Sequence, residues 1–194
     1  SRYFAEMKYL GTKLISFQHG GIYGQYKIST AEKLEIDLSE IFLTWGWKNP
    51  NKKKVKPFYF SKNMKKIRRQ KREIIHFVLP NKPRYPYRID SFSGIEKLEN
   101  NYKKILEIIE NLNSDLKDKI ILKDKKNSYS NYFKELIFEN YNHHIKYDNI
   151  EKYLNISRIN VFTYLSTAYL ETLLLNLPTI IFYNEEEQIL NHEC

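Results

Sequence analysis

Two observations predict an α/β fold with a doubly wound parallel sheet from about Ile74 onward, preceded by the end of another domain. Strand and helix alternate along the chain, and the strands are short and nearly all apolar, without the polar alternation of a sheet that faces water. Lys13–Phe17 reads as the first strand, and Gln18–Gly24 as a glycine-rich turn after it. Ile41–Trp45 is the second strand, ending at Gly46. Lys48–Arg72 has few apolar residues besides Val55 and Phe58–Phe60, and reads as a linker carrying one short strand. Ile74–Leu79 is a compact apolar run. Over Ile95–Leu112 the apolar residues Ile95, Leu98, Tyr102, Ile105, Leu106, Ile109 and Leu112 recur at steps of three and four, the pattern of an amphipathic helix. Lys119–Leu122 is a strand, Asn131–Glu139 a helix, His144–Tyr147 a weaker strand and Ile150–Leu154 a short helix. Ile159–Thr163 (strand), Thr167–Asn176 (helix) and Thr179–Tyr183 (strand) close the pattern.

The chain's 194 residues suffice for one good core, or for one domain and part of another. With 6 Gly and 6 Pro it is neither collagen-like nor Pro/Gly-rich disorder. Its single cysteine, Cys194, excludes a disulfide framework and a cysteine-based zinc site, and fits a reducing compartment. The net charge of +9 is local: 12 of the 32 Lys and Arg lie between Lys48 and Arg72, where there is no Asp or Glu, leaving 20 basic against 23 acidic residues elsewhere. Basicity therefore belongs to one segment and does not mark the fold as nucleic-acid binding. The most apolar stretch, Thr163–Tyr183, is interrupted by Glu171, Asn176 and Pro178, so no membrane span is expected. A cytoplasmic location is expected. The chain starts at Ser1 and reads as a fragment or a processed product.

Three constellations can carry chemistry. In Gln18–Gly24, Gly20 and Gly21 allow a ligand close to the backbone with N–H groups converging on an anion, and His19 can transfer a proton near neutrality; a tight turn with a satisfied histidine is the equal alternative. In Asn81–Arg88, Arg84 can grip phosphate, although spacing alone favours a proline-stiffened solvent loop. In Thr163–Glu171, Ser166 and Thr167 at a helix start suit phosphate. Glu171 stands too far from Ser166 and Thr167 to form a capping box. It falls between Leu174 and Leu175 on the helical wheel, with Thr172 and Asn176 as the clearer solvent positions. There it suits hydrogen bonds to sugar hydroxyls; the alternative is a partly exposed surface glutamate. No Asp-x-Asp pair, P-loop, His-Glu-x-x-His or Gly-x-Ser-x-Gly is present. His76 on a core strand reads as structural, and His143-His144 as a solvated turn.

Gln18-His-Gly-Gly-x-Tyr-Gly24, Phe42-Leu-Thr-Trp-Gly-Trp47, the Pro83–Tyr85 loop and Thr163–Phe182 together resemble a family of bacterial transferases linked to surface carbohydrates. That family is similar to GT-B glycosyltransferases, with distant kin among capsule Kdo-transferases and teichoic-acid glycerophosphotransferases. The resemblance implies two Rossmann-like domains facing a cleft. Residues 1–47 would be the C-terminal part of the acceptor-side domain, 48–73 a basic interdomain linker, and 74–194 most of the nucleotide-donor domain. It implies ribose binding by Glu171 and phosphate binding by Ser166 and Thr167, to which Arg84, Gly20 and Gly21 are added, with His19 assisting the acceptor or the leaving group. Where the family has a His-containing, proline-rich turn, this chain has Lys123–Asn127, so either a phosphate-facing group is missing or Lys125 or Lys126 substitutes for it electrostatically.

The expected function is transfer of a glycosyl or related group from a nucleotide-sugar donor to a glycan or lipid-linked acceptor in surface-polysaccharide biosynthesis. No metal or other cofactor is called for, since N–H groups and cations can neutralise a leaving phosphate. Peripheral contact of the basic segment with the inner face of an anionic membrane is a further expectation, secondary to a solvated linker. The alternatives are a nucleotide-sugar epimerase of GT-B-like fold, an RNA-binding module using Lys48–Arg72, and an inactive relative.

Overall fold

The structure is a computed structural model that describes residues 2–60, 72–80, 95–125 and 131–183. The described residues fall into two compact units, 2–60 and 72–183. Both are α/β and both sheets are wholly parallel.

The first unit opens with helix α1 (Arg2–Tyr9), followed by strand β1 (Ile15–Phe17), helix α2 (Thr30–Leu38), strand β2 (Ile41–Thr44) and strand β3 (Val55–Pro57). The strands pair in the order β1-β2-β3, with Ile15 opposite Ile41 and Phe42 opposite Val55. β3 lies in the basic stretch that reads as a linker, and Val55 is buried with Tyr23, Ile36 and Phe42 in this unit's core. The same stretch supplies Lys54, whose Nζ donates to Asp37 O and Ser39 O at 3.1 Å each and so closes the C-terminal end of α2.

The second unit runs strand β4 (Ile74–Val78), helix α3 (Ile95–Glu110), the single turn α4 (Ser114–Lys117), strand β5 (Ile120–Lys123) and helix α5 (Asn131–Ile137). A 3-10 turn then leads to strand β6 (Ile145–Lys146), helix α6 (Ile150–Leu154), strand β7 (Ser157–Phe162), helix α7 (Thr167–Leu174) and strand β8 (Thr179–Ile181). The strand order is β6-β5-β4-β7-β8. The chain thus winds from the central β4 first to one side and then to the other, the doubly wound arrangement expected of a Rossmann-like fold.

One face of this sheet presents Phe77, Leu79, Ile120, Leu122, Ile145 and Val161, all buried. α3 covers it with Leu98, Tyr102, Ile105 and Ile109, the stripe its periodicity predicts. The other face is more polar. His76 on β4 sits opposite Asn160 on β7, and its Nδ1 lies 2.9 Å from Asn160 Oδ1. Asn160 Nδ2 donates to Pro178 O at 3.3 Å, which fixes the amide orientation, so His76 Nδ1 must carry the proton. Tyr153 of α6 packs 5.6 Å from the His76 ring.

Not every strand is covered on both faces. Ile15 and Phe17 on β1 and Ile180 on β8 are exposed, because each of these strands is at the edge of its sheet. A second difference lies in α7. Thr172 is fully buried, whereas Leu173 and Leu174 are 52% and 57% exposed. The helix lies on the polar face of the sheet: Thr179 Oγ1 donates to Thr172 Oγ1 at 2.8 Å, and Thr172 Oγ1 donates to Tyr169 O at 2.6 Å. Thr172 is therefore not a solvent position. Among the described residues, no helix is long and apolar enough to cross a membrane.

Candidate functional site

In the first unit the carboxyl end of β1 runs directly into the glycine-rich turn. Gln18, only 3% exposed, locks that turn to the segment after β2. Its backbone N–H donates to Leu43 O, and its Oε1 accepts from Trp45 N–H at 2.9 Å and from Trp47 Nε1–H at 2.8 Å. Two separate sequence motifs thus form one structural unit. The glycine that this packing requires is Gly24, which has φ +79° and whose absent Cβ would stand 2.7 Å from the Trp47 indole. Gly20 O accepts from Gln18 Nε2 at 2.8 Å, and Gly21 O from Gln25 Nε2 at 2.6 Å. Both carbonyls are thereby held in place.

His19 projects from this turn with its side chain 58% exposed. Its Nδ1 lies 3.5 Å from Glu35 Oε2, and its Nε2 lies 3.4 Å from the Tyr23 hydroxyl. Tyr23 is buried and donates to Glu35 Oε1 at 2.9 Å. One helical turn earlier, Glu32 Oε2 accepts the Gly24 N–H at 2.8 Å, and burial raises the Glu32 pKa above its usual value. Glu32 and Glu35 of α2 therefore hold the turn from one side. The sequence reading missed both. Ser29-Thr-Ala-Glu32 is a capping-box pattern that marks the start of α2, and Ser29 Oγ does accept Glu32 N–H at 3.3 Å. Residues 32 and 35, three apart, share a helix face.

In the second unit the carboxyl ends of β4 and β7 flank the point where the strand order reverses, the usual ligand position in open α/β sheets. The turn after β7 carries Thr163, Ser166 and Thr167. Ser166 is the N-cap of α7, with extended backbone, yet its hydroxyl makes no capping bond. That hydroxyl sits beside the Tyr164 phenol, whose pKa burial raises, without meeting any partner in hydrogen-bonding geometry. Thr163 is 6% exposed, and its Oγ1 is also unpartnered. Asn101 of α3, which the sequence reading did not single out, donates from Nδ2 to Thr163 O at 3.1 Å while its Oδ1 is buried without a partner. Its only sequence signal is a polar residue three positions after Leu98, at the border of the α3 stripe.

Buried polar groups are almost always paired, so the Asn101 acceptor and the Thr163 and Ser166 hydroxyls make this turn the candidate polar site of the second unit. Glu171, one turn into α7, is 3% exposed, which removes the surface-glutamate alternative.

At the carboxyl end of β5, where the resemblance leads one to expect a His-containing turn, Lys123 and Asp124 are buried. Lys123 Nζ donates to Asp124 O, and Lys134 of α5 forms an ion pair with Asp124 Oδ2. Burial lowers the pKa of both lysines. Lys125 is exposed. Arg84 and Lys126 lie outside the described residues. Among the described residues, no three His, Cys, Asp or Glu side chains gather at metal-binding distance.

A search of curated proteins finds no match to the chain. A family model does match, and it spans residues 1–194. With a doubly wound sheet whose switch-point turn holds unpartnered polar groups, and a family match along its whole length, the chain belongs to the LIC12162 family of transferases.

Proposed function

We propose that this transferase moves a glycosyl or related group from a nucleotide-activated donor to a bacterial surface-glycan acceptor. The observation that carries this is the turn after β7. It sits at the switch point of the sheet, opens α7, and carries the buried hydroxyls of Thr163 and Ser166 on the same turn that Asn101 bonds through Thr163 O. Hydroxyl donors at a helix start suit phosphate oxygens. An amide oxygen and a buried carboxylate suit the hydroxyls of ribose or sugar. The donor's phosphate would lie on Ser166 and Thr167, and its ribose on Glu171. Gly20, Gly21 and Arg84 remain further candidates for phosphate contact.

In the first unit His19 would serve the acceptor side, taking the proton of the acceptor hydroxyl. In the transfer the acceptor oxygen bonds to the donor carbon as the bond from that carbon to the phosphate oxygen breaks, and the nucleotide leaves with the electron pair. Its developing charge is met by the turn and the α7 N-terminus.

Thermal shift or ligand-observed NMR with CMP, CDP, UDP and GDP tests this. One nucleotide should bind, and Glu171→Ala should weaken it about tenfold to hundredfold, the loss of one or two hydrogen bonds to a charged group. Failure of every nucleotide to bind the folded protein refutes the proposal. Product analysis separates transfer from epimerisation, which changes the sugar without an acceptor.

A further inference from the structure

His19, Tyr23 and Glu35 meet in a chain of contacts whose polarity can be worked out. A carboxylate only accepts hydrogen bonds. The Tyr23 hydroxyl spends its proton on Glu35 Oε1 at 2.9 Å, which leaves Glu35 Oε2 facing His19 Nδ1 at 3.5 Å. That approach is attractive only when Nδ1 carries the imidazole proton. The lone pair is then on Nε2. The Tyr23 oxygen, 3.4 Å from Nε2, has no second proton to give it. It can instead accept from Nε2 once that nitrogen is protonated. The rings of His19 and Tyr23 stand edge to face with centroids 5.2 Å apart, which limits rotation of the imidazole.

Tyr23 itself is anchored in the core of the first unit, at 2% exposure. Glu35 is half-buried on α2, and that helix is tied to the same turn through Glu32 and Gly24 N–H. The carboxylate is thus placed by a rigid helix and a buried phenol, while the imidazole it faces is open to solvent.

We propose that Glu35 is the positioning residue of His19: with Tyr23 fixing its carboxylate, it holds Nδ1–H and presents Nε2 as the proton acceptor for the incoming hydroxyl. The assignment rests on the transferase reading of His19, but its geometric content can be tested without substrate.

The decisive measurement is the imidazole tautomer of His19, read from two-bond 15N–1H correlations of the full chain at a pH where the ring is neutral. The His19→Asn spectrum assigns the signal. The wild type should show mainly Nδ1–H, the reverse of an unrestrained imidazole. Glu35→Ala should return His19 to mainly Nε2–H. Glu35→Gln, which keeps an acceptor oxygen, should restore the Nδ1–H form in part, a rescue that a purely structural glutamate would not produce. Persistence of the Gly24 amide signal in Glu35→Ala confirms that the turn is still folded. If that variant does not fold, the wild-type tautomer alone decides. A wild type that is mainly Nε2–H, or a Glu35→Ala protein with an unchanged tautomer, overturns the assignment. Failure of the nucleotide panel would instead refute the proposed function and leave the tautomer result standing.

Discussion

Two residues show how single side chains constrain this molecule. His76 is buried with Nδ1 bonded to Asn160, and desolvation lowers its pKa to about 4. In the unfolded chain the same ring titrates near 6.5. Between these values the unfolded state binds a proton that the folded state does not. Stability is therefore unaffected by His76 above about pH 6.5 and falls as the pH drops toward about 4, by roughly 3 kcal/mol in all. Urea midpoints measured from pH 7 to 4 should show this slope, and His76→Gln should flatten it whatever its effect at pH 7. Gly24 is constrained by space as well as by conformation. A methyl group there would adopt a left-handed φ of +79° and press on Trp47 at 2.7 Å. The backbone conformation costs about 1–2 kcal/mol and overpacking a further 1–3 kcal/mol. Gly24→Ala should lower the urea midpoint accordingly, with a blue or red shift in tryptophan emission reporting the displaced indole.

At the scale of elements, α7 carries the sharpest test. Its leucines suggest an apolar buried face, but the helix meets the sheet through Thr172 on Thr179 and Tyr169 on Phe162, so Glu171 and Thr172 turn inward and Leu173 and Leu174 turn outward. Thr172→Val keeps the shape and removes the bonds to Tyr169 O and Thr179, which should cost about 1–2 kcal/mol. Leu174→Ser should stay within about 0.5 kcal/mol of wild type. Denaturation of the two variants at pH 7 decides the orientation, because a helix resting on its leucines would reverse the order. The same contrast explains what was legible. β4, β5, β7 and α3 are read from sequence because their burial is apolar and periodic. α1 buries no residue and α2 only Ile36, so neither leaves an apolar stripe to read. In the candidate site, His19, Ser166 and Glu171 stand out by chemistry within a motif. Glu35 and Asn101 do not, since only the folded chain brings α2 to the glycine-rich turn and α3 to the turn after β7.

Over the whole molecule, the two units each close a core from their own residues: Tyr23, Ile36, Phe42 and Val55 in the first, and the α3 stripe with β4, β5 and β7 in the second. The basic segment is not a uniform spacer, since its first part supplies β3 and the Lys54 contacts to α2. If each core stabilises its own unit, damage to one should leave the other's transition in place. The chain offers a natural probe for this: both tryptophans, Trp45 and Trp47, lie in the first unit, while the longest helix, α3, lies in the second. Tryptophan emission then reports the first unit, and far-ultraviolet circular dichroism is weighted toward the second. Phe42→Ala, at a fully buried position, should cost about 3–5 kcal/mol and move the emission transition to lower urea with little change in the dichroism midpoint. Ile105→Ala, equally buried, should cost about 2–5 kcal/mol and move the dichroism but not the emission. Separate movements would show that cooperativity stops at the unit boundary, and that the His19 turn and the turn after β7 can be perturbed one at a time. Coincident shifts of both probes in either variant would show instead that the two cores unfold as one body, and substitutions near one turn would then have to be checked for effects on the other.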